Sequence, residues 1–138
     1  MKLKLFISVL LMMLVVSSCN LFISLKTRNH IETEGSYVVV SKSIYSSKQG
    51  EPTCKVEGNV FDDYTKYPVN YGWVTLLEND QYKAQIDSLG YFNLLLPPGT
   101  YKLKFSSAGN KEFITEPIRL NENTRTQLKV YLGSDIMY

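Results

Sequence analysis

Apolar and polar positions divide this chain into two unlike stretches. Near the N-terminus, Leu5 to Val16 is apolar apart from Ser8, well short of the roughly 20 residues that cross a bilayer core. From Cys54 onward the period is two. Val56, Gly58 and Val60 alternate with Lys55, Glu57 and Asn59, and Tyr101, Leu103 and Phe105 alternate with Lys102, Lys104 and Ser106. Tyr82, Ala84 and Ile86, and later Leu128, Val130 and Leu132, repeat the pattern. Successive strand side chains point to opposite faces, so each run predicts a half-buried antiparallel strand. Apolar runs at 72–78, 92–96 and 113–120 bring the expected strands to seven. Turn residues separate them about every ten positions, the spacing of a sandwich or barrel. The fold expected over 54–132 is therefore all-β, a seven-stranded antiparallel β-sandwich. Its expected core is Val60, Val74, Phe92, Leu94, Tyr101, Leu103, Phe105, Leu128 and Val130.

The first stretch has its own logic. Lys2 and Lys4 precede the apolar run, and Val16-Ser17-Ser18-Cys19 follows it. A basic start, a short apolar run and small residues describe a cleavable signal peptide. With the cysteine in place, the order resembles the lipobox of bacterial lipoproteins. That resemblance implies lipid on Cys19, whose thiol is the acyl acceptor, and cleavage before it. Two or three acyl chains, at about 0.8 kcal/mol per buried methylene, anchor a protein stably where one does not. Residues 1–18 are then the signal peptide and 19–53 a lipid-anchored tether. Tyr37 to Val40 in the tether predict an extra edge strand near 36–45, and 133–138 form a C-terminal tail. Asn20 is not the aspartate associated with inner-membrane retention, which favours the outer membrane.

Charge and cysteine content narrow the picture. The chain has 15 Lys and Arg against 13 Asp and Glu. Lys2 and Lys4 belong to the leader, so 15 − 2 leaves 13 against 13. No basic patch argues for nucleic acid. Cys54 has no partner in the chain if Cys19 carries lipid, and reads as a small apolar residue at a strand start.

A second resemblance covers 56–132. Gly58-Asn59-Val60-Phe61-Asp62 closes a strand, then come Thr65 and Pro68-Val69. Asp87-Ser88-Leu89-Gly90-Tyr91-Phe92 forms a hairpin, and Pro98-Gly99-Thr100-Tyr101 a turn. In this order the segments resemble the carboxypeptidase regulatory-like domain, a transthyretin-like β-sandwich. One departure stands out: Tyr71-Gly72 occupy the places where relatives usually show Gly-Ala. The resemblance implies an accessory domain, not the peptidase.

Catalytic chemistry has little to work with. Zinc hydrolysis needs three protein ligands and an open position, and the chain has a single histidine, His30. Asp62, Asp63 and Asp87 lack the spacing of a calcium loop and read as turn residues. No enzyme, metal site or cofactor is expected. Aromatic residues are the richer set, with 10 Tyr, 6 Phe and 1 Trp. If Val74, Leu76 and Leu94 face the core, Trp73 and Tyr91 face outward. These two rings are the candidate contacts for a ligand or partner. The alternative, which is the favoured expectation, is that they pack beneath 20–53 or line sheet edges. The expected function is a non-catalytic envelope lipoprotein, a scaffold or docking module for another envelope protein. The competing expectation is a surface carbohydrate-binding accessory module using exposed aromatics.

Overall fold

A computed structural model describes residues 30–137. The expected signal peptide, lipid attachment at Cys19 and first part of the tether lie outside the described residues. Contacts divide the chain into two units, Met1–His30 with Met137–Tyr138 and Ile31–Ile136; the sandwich is the second. No helix among the described residues is long and apolar enough to cross a membrane.

Twelve strands follow in chain order: β1 His30–Glu32, β2 Ser36–Ile44, β3 Cys54–Asp62, β4 Gly72–Leu76, β5 Lys83–Ile86 and β6 Tyr91–Leu96. They continue as β7 Gly99–Tyr101, β8 Leu103–Ser107, β9 Phe113–Ile114, β10 Ile118–Leu120, β11 Thr124–Leu132 and β12 Asp135–Met137. One sheet has the order β2-β11-β3-β6 and the other β5-β4-β8-β9; β7 pairs with β10, and β1 with β12.

The inward positions of both sheets merge into one core. Phe92 of β6 meets Phe105 of β8 across the sandwich, ring centroids 5.3 Å apart and interplanar angle 78°. That edge-to-face geometry suits the ring quadrupoles. Val60, Val74, Leu94, Leu103, Leu128 and Val130 are buried as the alternation predicts. Tyr101 is only half-buried, because its hydroxyl must reach a partner and donates to the Pro97 carbonyl at 2.9 Å.

The all-β sandwich stands, and two details differ. Between 54 and 132 there are nine strands rather than seven. The run through Tyr101 splits at Lys102, with β7 pairing β10 while β8 pairs β4 and β9. The run 113–120 splits near Pro117, which has no N–H to give a ladder. Buried Thr115 bridges that break: its Oγ1 accepts from Leu103 N at 3.0 Å. The second detail is direction, since β11 runs parallel to β3 and antiparallel to β2. A parallel neighbour needs a long crossover, and here the chain from β4 to β10 supplies it, visiting the other sheet in β4, β5, β8 and β9.

Two glycines are fixed by space. A Cβ on Gly58 would lie 1.9 Å from the Leu128 carbonyl oxygen, so β3 and β11 could not approach as they do. Gly90 has φ 77° and faces Val60 O, where a Cβ would sit at 2.6 Å. Asp87 Oδ1 closes that hairpin by accepting from Leu89 N at 2.8 Å and Tyr91 N at 2.9 Å.

Candidate functional site

The outer face of β2-β11-β3-β6 carries an arrangement that period-two reasoning does not foresee. Glu57 points outward yet is only 6% exposed, because its neighbours close over it. Lys55 Nζ lies 2.6 Å from Oε2, and the Tyr91 hydroxyl donates to the same oxygen at 2.8 Å. Gln127 donates to Oε1 at 3.4 Å. Arg125 Nε stands 3.1 Å from Oε1 as a charge contact without aligned hydrogen-bond geometry. Burial pushes the Glu57 carboxyl up, but the hydrogen bonds from Lys55, Tyr91 and Gln127 and the Lys55 charge outweigh it, so it sits below the ordinary carboxylate range. The same contact acts oppositely on Tyr91: burial, then the bond to the Glu57 anion, push its phenol up to about 12. A covered charge is tolerated only when it is paired and hydrogen-bonded, and register supplies the partners. Gln127 and Asn93 oppose Glu57, Arg125 opposes Lys55, and Tyr91 opposes Asn59.

The same face continues toward β12. Phe61 and Tyr131 oppose each other with ring centroids 5.8 Å apart. Lys129 Nζ lies 5.2 Å and 5.5 Å from the two rings. A concavity of about 360 Å³ opens between this ladder, Glu57, Tyr91 and Val40 of the edge strand β2.

The other candidate ring lies elsewhere. Trp73 is on β4, in the sheet β5-β4-β8-β9, and is 46% exposed on its outer face. Tyr91, on β6 of the opposite sheet, is 37% exposed with its hydroxyl committed to Glu57. The two rings therefore do not share a platform. The described part of 20–53 does not cover Trp73, because β2 pairs with β11 in the other sheet.

Asp62 is a loop lock. Its Oδ1 accepts from Tyr64 N at 3.0 Å, from Thr65 N at 2.7 Å and from Thr65 Oγ1 at 3.0 Å. Its Oδ2 accepts from Asn110 Nδ2 at 2.7 Å and from Ser134 Oγ. Burial raises this carboxyl, and those bonds, led by Ser134, bring it below its ordinary value. Three segments distant in sequence are pinned by one carboxylate. Among the described residues no three His, Cys, Asp or Glu gather as a metal site. Cys54 is buried, and its thiol donates to the Asn121 carbonyl at 3.0 Å. A cavity of about 550 Å³ at Leu76, Tyr82, Pro97 and Tyr101 gathers no catalytic set.

The family model of the carboxypeptidase regulatory-like domain matches residues 55–133, more than half of the chain. The chain belongs to that family. Its Asp62 lock, Asp87 hairpin and Gly58 approach are thus the load points of a carboxypeptidase regulatory-like sandwich. No curated protein matches the chain. Two solved structures resemble it distantly. One is a Bacteroides uniformis ATCC 8492 protein proposed to bind carbohydrate, at 16% identity and TM-score 0.47, covering 59% of this chain and 41% of that one. The other is a type II cohesin–X-dockerin complex from Acetivibrio cellulolyticus, at 21% identity and TM-score 0.45, covering 55% of this chain and 51% of that one. The chain thus spans about half or less of each.

Proposed function

We propose that this carboxypeptidase regulatory-like domain is a non-catalytic lipoprotein module of the cell envelope, held at the outer membrane by lipid on Cys19, that docks another envelope protein. The observation that carries this reading is the edge strand β2. It is nine residues long and, among the described residues, pairs on one side only, with β11. Val38, Val39 and Val40 are exposed, and Ile44 is 89% exposed. Edge strands are usually blunted by charge, proline or brevity; Lys42 is the one charge in β2. Such an edge suits β-augmentation, in which an extended segment of a partner adds a strand. The occupant is an extended β-branched or aromatic strand, one side chain of which enters the concavity beside Val40. The titratable groups nearby support binding rather than catalysis, since Glu57 and Asp62 already spend their lone pairs on the fold.

A photo-crosslinking side chain at position 38 of the full chain, in its own cells, tests the edge. One specific adduct is expected, and Val40→Lys, which puts a charge on the edge, should abolish it without lowering the melting temperature. An adduct that survives Val40→Lys, or forms equally from position 88 in the hairpin turn, overturns the docking reading. The anchor is tested separately: Cys19→Ser should abolish fatty-acid labelling, and continued labelling refutes attachment there.

A further inference from the structure

The outer face of β5-β4-β8-β9 carries a second feature, independent of the β2 edge. Tyr71 is not a glycine, yet its φ is 62°, in the left-handed region. For a side chain this bulky that conformation is strained, because Cβ crowds the following carbonyl oxygen. Core packing does not offset it, because Tyr71 is 63% exposed. The backbone is held instead from outside: Ser107 Oγ donates to the Tyr71 carbonyl at 2.9 Å. A backbone outlier that places an aromatic ring in solvent points toward function.

The surroundings say which kind. Two residues on, Trp73 emerges on the same outer face. Register sets Gln85 of β5 on one side of Trp73 and Ser106 of β8 on the other. Lys83 Nζ lies 5.3 Å from the indole centroid and restrains the ring. Tyr71, Trp73, Gln85 and Ser106 line one groove of about 380 Å³, and no charged side chain lines it. That volume is at the lower end of the roughly 300–1,000 Å³ of small-ligand sites. A protein anchor would call for a deep apolar pocket at the centre of its patch. Here two rings are bordered by an amide and a hydroxyl, and no aliphatic wall stands behind them. A pyranose has the matching chemistry: an apolar C–H face to lie on a ring, and a rim of hydroxyls that both donate and accept. The lining itself supplies no cation to pair with a carboxylate, and the neighbouring Lys83 ammonium is already engaged over the indole, which favours a neutral sugar over a uronic acid.

We propose that Tyr71 and Trp73 form a stacking platform for a neutral glycan, with the Gln85 amide and Ser106 hydroxyl reading its ring hydroxyls. The test is affinity electrophoresis of the full chain, extracted in mild detergent, through gels containing mixed-linkage β-glucan, xyloglucan, galactomannan or starch, with polygalacturonate as the anionic comparison. At least one neutral polymer should retard the protein. Trp73→Ala should weaken that retention about tenfold, the scale of one lost ring contact. Tyr71→Gly should weaken it similarly while raising the melting temperature, a pairing that a purely structural role for the ring does not produce. Retention by none of the four neutral polymers overturns the proposal, as does retention by polygalacturonate alone or full retention of Trp73→Ala. A photo-crosslink from position 85 to a protein, without glycan retention, would assign the groove to a protein partner and overturn it equally.

Discussion

Removing one oxygen atom, in Tyr91→Phe, isolates what holds Glu57. The ring remains on β6 and the sheet is untouched, but the 2.8 Å bond to Glu57 Oε2 is lost. A hydrogen bond to a charged group is worth about 1.5–3 kcal/mol. The lower end applies, because Tyr91 is 37% exposed and water can replace its hydroxyl, and because Lys55, Gln127 and Arg125 remain. A loss of about 1–1.5 kcal/mol should lower the melting temperature by roughly 4–12 °C in a domain of this size. The pH dependence is more telling. Glu57 has a folded pKa below its ordinary 4.5, so its contribution is fully present above that value and is lost as pH falls through the folded pKa. Tyr91 is raised from 10.0 to about 12, so its contribution is fully present below 10.0 and is lost as pH rises through about 12. The gap between wild type and Tyr91→Phe should therefore be widest across the intervening range and should narrow toward both ends. Thermal melts by circular dichroism from acid to alkaline buffer measure it. A gap under about 1 °C at neutral pH, set against the 4–8 °C expected per kcal/mol, would refute the assignment, as would a gap that does not change with pH.

Leu103→Ala, at a fully buried β8 position, should cost about 2–5 kcal/mol in denaturant unfolding; a cost below 1 kcal/mol would contradict its place in the core. Asp62→Ala removes the acceptor for Tyr64, Thr65, Asn110 and Ser134 and should cost about 2–4 kcal/mol at neutral pH. Because the Asp62 pKa lies below 3.8 in the fold, that penalty should shrink as pH falls through the folded value; a penalty independent of pH would mean the carboxylate charge is not what holds the loop. Tyr71→Gly relieves the 62° backbone and should stabilise by about 0.5–1 kcal/mol after the entropy of a freer unfolded chain is charged against it; a lower melting temperature would show that the ring packs.

The sequence alone determined which residues are inward. Val56 to Val60, Tyr101 to Phe105 and Leu128 to Leu132 carry the period of two, and a pleated strand turns that period directly into faces. It also determined the turn at 87–91, because Asp87 accepts from Leu89 N and Tyr91 N within five residues. Strand direction was not legible: alternation reads the same whether β11 runs parallel or antiparallel to β3, and only the long crossover from β4 to β10 decides it. Alternation likewise put Glu57 outside, where charges ordinarily meet water. Its burial follows from lateral pairing, since Gln127 is 70 residues away in sequence and Tyr91 is 34, and no local pattern records that. The same cause separated Trp73 from Tyr91. Each was correctly read as outward, but which of two sheets a strand joins depends on pairing between distant segments, and that placed the rings on opposite faces of the sandwich.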